Sequence, residues 1–136
     1  MAAMLIEKGA DPKKTMIGHM CDTDDIDCLV DVLKHGVYIG LDRFGLNMIF
    51  PDEKKCQTLC RLVEMGYINQ ILLGHDCTIH NHAGDLIPEE RLATMPDWNM
   101  SGMFRTFIPR CKELGLTDEQ VKVLLVDNPK RFFEGV

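Results

Sequence analysis

Apolar and polar positions alternate between two periods along this chain, and the alternation predicts a strand–helix repeat. Ala2 to Lys8 has the pattern of the end of a helix, stopped by Gly9 and the Asp11-Pro12 turn. The short apolar run Thr15-Met16-Ile17-Gly18 ends in His19. Asp22-Thr23-Asp24-Asp25 then supplies cap chemistry for a helix in which Ile26, Leu29, Val30 and Leu33 recur at helical spacing up to Gly36. A second apolar run, Val37 to Leu41, ends in Asp42-Arg43. A loop through Pro51 leads to a helix with an apolar face of Leu59, Leu62 and Val63, closed at Gly66. The third run, Gln70 to Gly74, ends in His75-Asp76. Beyond it lie an irregular stretch (77–102) and two predicted helices, Met103–Leu114 and Asp118–Asp127. Thr117 with Gln120 forms the pattern of a capping box for the second.

Near-continuous apolar strands separated by amphipathic helices predict a parallel sheet buried on both faces, hence an α/β fold. Each predicted strand ends in residues able to do chemistry. In parallel α/β folds the carboxyl ends of the strands are where sites are built. From the residues alone two readings stand for each candidate. His19 is a ligand or a strand-end histidine satisfied by backbone. Asp76 is a ligand or a turn acid. Asp42 and Arg43 form a rim ion pair, or Arg43 faces a substrate.

The chain has 136 residues, 46% hydrophobic and 26% charged, with a formal charge of −6. That is the composition of one folded domain, and its acidity disfavours nucleic acid or an anionic membrane as a partner. No apolar run approaches the ~20 residues of a membrane helix, and the start lacks the regions of a secretory signal. A cytoplasmic location is expected. The six cysteines are scattered without a C-x-x-C pair, so they are expected to be reduced, with Cys56 and Cys60 on a buried helix face. His75, Cys77, His80 and His82 crowd around Asp76, but their spacing matches no structural zinc pattern.

Several segments together carry a resemblance. Ile17-Gly18-His19 followed by Asp22-Thr23-Asp24-Asp25 resembles the sixth-strand segment of phosphotriesterase-type amidohydrolases. Gly40-Leu41-Asp42-Arg43-Phe44-Gly45-Leu46 resembles the seventh, in the lactonase branch. Ile71-Leu72-Leu73-Gly74-His75-Asp76 resembles the eighth, and Asn128-Pro129-Lys130-Arg131-Phe132-Phe133 the C-terminal signature. The resemblance implies the C-terminal portion of a TIM (β/α)₈ barrel, strands 6–8 with flanking helices, as a single partial domain over residues 1–136.

It also implies a metal-dependent hydrolase of lactones or organophosphate esters, with a hydroxide bridging two divalent metals, commonly zinc. His19 then corresponds to a metal ligand, and Asp76 to a ligand of the other metal and the proton acceptor. Arg43 and Trp98 correspond to substrate-binding positions. The family's strand-one His-x-His pair, bridging lysine and strand-five histidine have no counterpart. A whole barrel takes roughly 250 residues, so the chain is expected to be a truncated product, inactive alone. It is expected to self-associate or to pair with the missing N-terminal portion, because an apolar face including Ile17, Ile39, Leu41 and Leu72 or Leu73 would be bare. The competing expectation is a non-catalytic α/β piece that serves interaction or assembly.

Overall fold

A computed structural model describes residues 1–77 and 93–135. The strand–helix repeat is present: helix α1 (Ala2–Glu7), strand β1 (Met16–Ile17), α2 (Ile26–Leu33), β2 (Tyr38–Leu41), α3 (Asp52–Glu64) and β3 (Ile71–Leu73). The strands form one parallel sheet in the order β1-β2-β3. Ile17 lies opposite Ile39, and Ile39, Gly40 and Leu41 lie opposite Ile71, Leu72 and Leu73. Two further bonds, from the Met20 amide to the Gly40 carbonyl and from the Gly74 amide to the Leu41 carbonyl, carry the alignment past the strand ends.

Side chains on a strand alternate between faces, so the register sorts them. Ile39, Leu41 and Ile71 face the helices and join Leu29, Leu33, Leu59 and Leu62 in the main core. Met16, Tyr38, Gly40 and Leu72 occupy the other face. The expectation that Ile39 and Leu41 lie bare is therefore corrected: they are 0% and 1% exposed. An apolar run gives no clue to its own phase, and here the phase is one residue away from the expected one. Among the described residues the outer edges of β1 and β3 have no strand partner.

Helix α4 (Ile108–Glu113) follows a π-turn (Met103–Phe107) and lies along α3. The capping box at Thr117 and Gln120 opens α5 (Asp118–Lys122), as the pattern predicts. The helical backbone does not end at Asp127, where the pattern predicts an end. A second π-turn (Val123–Asp127) leads directly into α6 (Asn128–Glu134), and Pro129, which has no N–H to give, follows that wider turn. Asn128 is fully buried, and its amide donates to the carbonyls of Ile68 and Ile71, both at 2.7 Å. That anchors α6 at the entry of β3, and Phe132 meets the Tyr38 ring edge-on at 5.2 Å. α6 thus lies along the sheet face that carries Gly40 and Leu72, where Pro129, Phe132 and Phe133 line a cavity with those residues, and Leu72, expected bare, is buried as well. Among the described residues no helix is long and apolar enough to cross a membrane.

Candidate active site

Three residues stand just past the three strands, and they share an unusual backbone. His19 has φ 57°, Arg43 φ 57° and Asp76 φ 46°, and among the described residues no other non-glycine has positive φ. A side chain in the left-handed region costs on the order of 1 kcal/mol per residue, and such strain persists where the surrounding structure over-determines it, often at functional sites. Each strand thus turns sharply at its carboxyl end and aims one polar side chain across the rim.

The side chains converge. His19 Nδ1 lies 2.9 Å from Asp42 Oδ1 and 3.8 Å from Asp76 Oδ2. One ligand atom from each of His19, Asp42 and Asp76 falls within 4.8 Å of the other two. Arg43 Nε donates to Asp76 Oδ2 at 3.0 Å, and its Nη1 donates to Asp22 Oδ2 at 2.6 Å. Asp76, and then Asp22, hold the Arg43 guanidinium above the ordinary arginine range. Asp22, Asp42 and Asp76 against one guanidinium leave an excess of two negative charges.

Of the two readings open for this pair, these partners remove the Asp42–Arg43 ion pair. Successive residues at the end of a strand point apart, so Asp42 turns to His19 while Arg43 reaches Asp22 and Asp76. The sequence pattern groups Asp22 with the helix caps. The cap of α2 is Asp25, whose carboxylate accepts from the Cys28 amide, while Asp24 pairs with Lys54. An acid before a helix signals a cap in sequence, and only the Arg43 contact distinguishes Asp22.

Trp98 reaches the site through the backbone: its Nε1 donates to the Asp76 carbonyl at 3.2 Å. Its ring, 6% exposed, packs with Leu46, Met95 and Cys77. Gly45, with φ 92°, allows this approach, since a Cβ there would fall on the backbone of Asp97 and Trp98. His75 points away from the cluster toward Phe104, with ring centroids 5.7 Å apart. His80 and His82 lie outside the described residues.

Two residues that sequence reasoning missed brace the rim from below. The Cys21 thiol donates to the Asp42 carbonyl at 2.8 Å, and the Asp42 amide donates back to the sulfur at 3.3 Å. Burial pushes this thiol up to about 12, opposed by the Asp42 amide, whose N–H favours the thiolate. Alkylation at pH 8, read by peptide mass spectrometry, is therefore expected to label exposed Cys28 and to spare Cys21 until the chain unfolds. Labelling of Cys21 at the Cys28 rate would contradict this geometry. Lys55, buried on α3, is the second missed residue.

The donor set fits a divalent cation of borderline character. One imidazole and two carboxylates converge within bonding reach of a common point, and the local charge is negative. Three groups leave one position of a tetrahedral shell open.

The sequence and the fold have relatives among known proteins. The chain is 39% identical over 132 residues to the aryldialkylphosphatase of Saccharolobus solfataricus, covering 96% of this chain and 41% of that protein. It is 36% identical over 129 residues to a phosphotriesterase homology protein of Mycobacterium tuberculosis, covering 94% and 39%. The solved structure of the phosphotriesterase from Mycobacterium tuberculosis superposes with a TM-score of 0.88 at 35% identity, over 98% of this chain and 40% of that one. The chain therefore spans about 40% of the length of these relatives, and its sheet is the C-terminal portion of a TIM barrel. Residues 1–133 match the phosphotriesterase family along nearly their whole run, and the chain belongs to that family.

Proposed function

We propose that this chain supplies the strand 6–8 part of the active site of a metal-dependent hydrolase acting on lactones or organophosphate esters. One observation carries the reading: three strand ends take left-handed backbone so that His19, Arg43 and Asp76 meet over Asp42. The resemblance assigns His19 and Asp76 to different metals; in this chain alone His19, Asp42 and Asp76 lie close enough together that they would hold one divalent cation, zinc or a similar metal. Bound there, such a cation would polarise the carbonyl or phosphoryl oxygen of an ester and acidify a neighbouring water.

The remaining roles fall to the chain itself. Asp76 accepts the proton released as water attacks. The Arg43 guanidinium, already charged and aimed by two carboxylates, lies where it can meet the oxygen that gains charge in the transition state. Trp98 holds the Asp76 carbonyl from behind and borders the substrate position. The six free thiols favour a reducing, cytoplasmic setting. The edges of β1 and β3, which have no strand partner among the described residues, favour association, either with a second copy or with polypeptide that completes the barrel.

The test is titration of the purified chain with Co2+, followed by its visible spectrum and by calorimetry. One equivalent is expected to bind, because three donors serve one ion. Hydrolysis of an aryl phosphotriester or a lactone by this chain alone is expected near background, since a second metal finds no further donor set among the described residues. Absence of Co2+ binding would overturn the site. Robust turnover would overturn the expectation of an inactive chain.

A further inference from the structure

Lys55 is a charged side chain with 1% of its surface exposed, placed in the second turn of α3. Moving an ammonium out of water costs several kcal/mol unless partners replace the hydration. Its partners are specific. The Nζ donates to the Arg43 carbonyl at 2.7 Å and to Asp52 Oδ1 at 2.9 Å. The other Asp52 oxygen accepts the Gly45 amide at 2.7 Å, and the Asp52 amide donates to Asn47 Oδ1 at 2.8 Å. The loop from Arg43 to Asn47 is thus stitched to the first two turns of α3 at three points, two of them through the Lys55–Asp52 pair. The stitched segment contains both left-handed residues of the turn, Arg43 at φ 57° and Gly45 at φ 92°.

The geometry points to Lys55, with Asp52, as a positioning pair that fixes the strained turn after β2 and so aims the Arg43 guanidinium at Asp76 and Asp22. A left-handed arginine relaxes toward ordinary backbone unless its carbonyl is held. The buried ammonium holds that carbonyl. Asp52 keeps Lys55 in place and ties down Gly45 two residues on. Relaxation at Arg43 would swing its side chain away from both carboxylates while leaving the strand and helices intact. The use of Arg43 toward an ester rests on the reading above; the hold of Lys55 on Arg43 does not.

The test reads the Arg43 side chain directly, by the Nε–H resonance in 1H–15N spectra, assigned by its loss in Arg43→Lys. In the wild-type chain the hydrogen bond to Asp76 is expected to give a shifted, slowly exchanging signal. In Lys55→Met that signal is expected to move to the free-arginine position, with solvent exchange roughly tenfold faster or more. Lys55→Arg, which restores a cation, is expected to restore it. Loss of packing alone would not follow this charge dependence. If Lys55→Met fails to fold by circular dichroism, Asp52→Asn carries the test. It keeps the shape, weakens the hold on Lys55 and Gly45, and is expected to shift the same resonance in the same direction. An unchanged Arg43 signal in the folded variant, or no rescue by Lys55→Arg, overturns the proposal. Failure of Co2+ binding in the wild-type chain would overturn the functional reading instead and leave the Arg43 signal as the measure of Lys55.

Discussion

Asp76→Asn is expected to lower the Co2+ affinity of the chain by roughly a hundredfold or more. Changes to groups that merely support a metal ligand commonly cost 10- to 100-fold, and this one removes the charge of a proposed ligand. The side chain keeps its shape, so loss of packing does not explain a large effect. Its carboxylate oxygen lies 3.8 Å from His19 Nδ1, on the same side as Asp42, with its backbone held by Trp98. The amide still accepts from Arg43 Nε, and Asp22 still pairs with the guanidinium, but the excess of two negative charges in the cluster falls to one, which weakens the attraction for a cation. Calorimetric titration at fixed ionic strength measures this. Asp24→Asn, at an exposed pair with Lys54, serves as the control and is expected to change nothing. An affinity of Asp76→Asn within twofold of the wild type would remove Asp76 from the ligand set.

The order of strands and helices was legible because the apolar runs and caps are local signals. Asp25, Thr117 and the strand-ending pairs are read from adjacent residues. The direction of a side chain is not local. The apolar run Tyr38–Leu41 carries no polar residue to mark its outward phase, and only the register with Ile17 and Ile71 assigns Ile39 and Leu41 to the helix side. The same ambiguity hid the partners of Arg43. Asp42 is its neighbour in sequence, yet the partners are 21 and 33 positions away. His19, Arg43 and Asp76 were found because family motifs mark them. Asp22, Cys21 and Lys55 were not, since a capping acid, a small buried thiol and a lysine in a charged helical turn each have an ordinary local explanation. Only a solvent-free position for Lys55 makes it unusual, and burial of a lysine has no signature in sequence.

Asn128→Ala is expected to destabilise the chain by about 3 kcal/mol, the largest effect of any polar substitution away from the site. Asn128 makes no contact with the cluster, yet its amide answers two carbonyls, Ile68 and Ile71, where the chain enters β3. Each acceptor left unpaired in a buried setting costs about 1–3 kcal/mol. Arg131, which donates to Asn128 Oδ1 at 2.8 Å, loses a partner as well. Those carbonyls lie at the amino end of the strand that delivers Asp76, and Ile71 is fully buried, so water cannot readily replace the amide. A loss of this size corresponds to roughly a 10 °C fall in melting temperature for a chain of this length. Thermal unfolding followed by circular dichroism reads it, with Phe133→Ala as the comparison. Phe133 is on the same helix and 83% exposed, so its removal is expected to leave the transition nearly unmoved. The effect of Asn128 on Co2+ affinity is expected to be small below the transition, because the strand-end geometry survives as long as β3 stays paired with β2. A melting temperature for Asn128→Ala equal to that of Phe133→Ala would mean that α6 is held by its apolar contact with Tyr38, not by this buried amide.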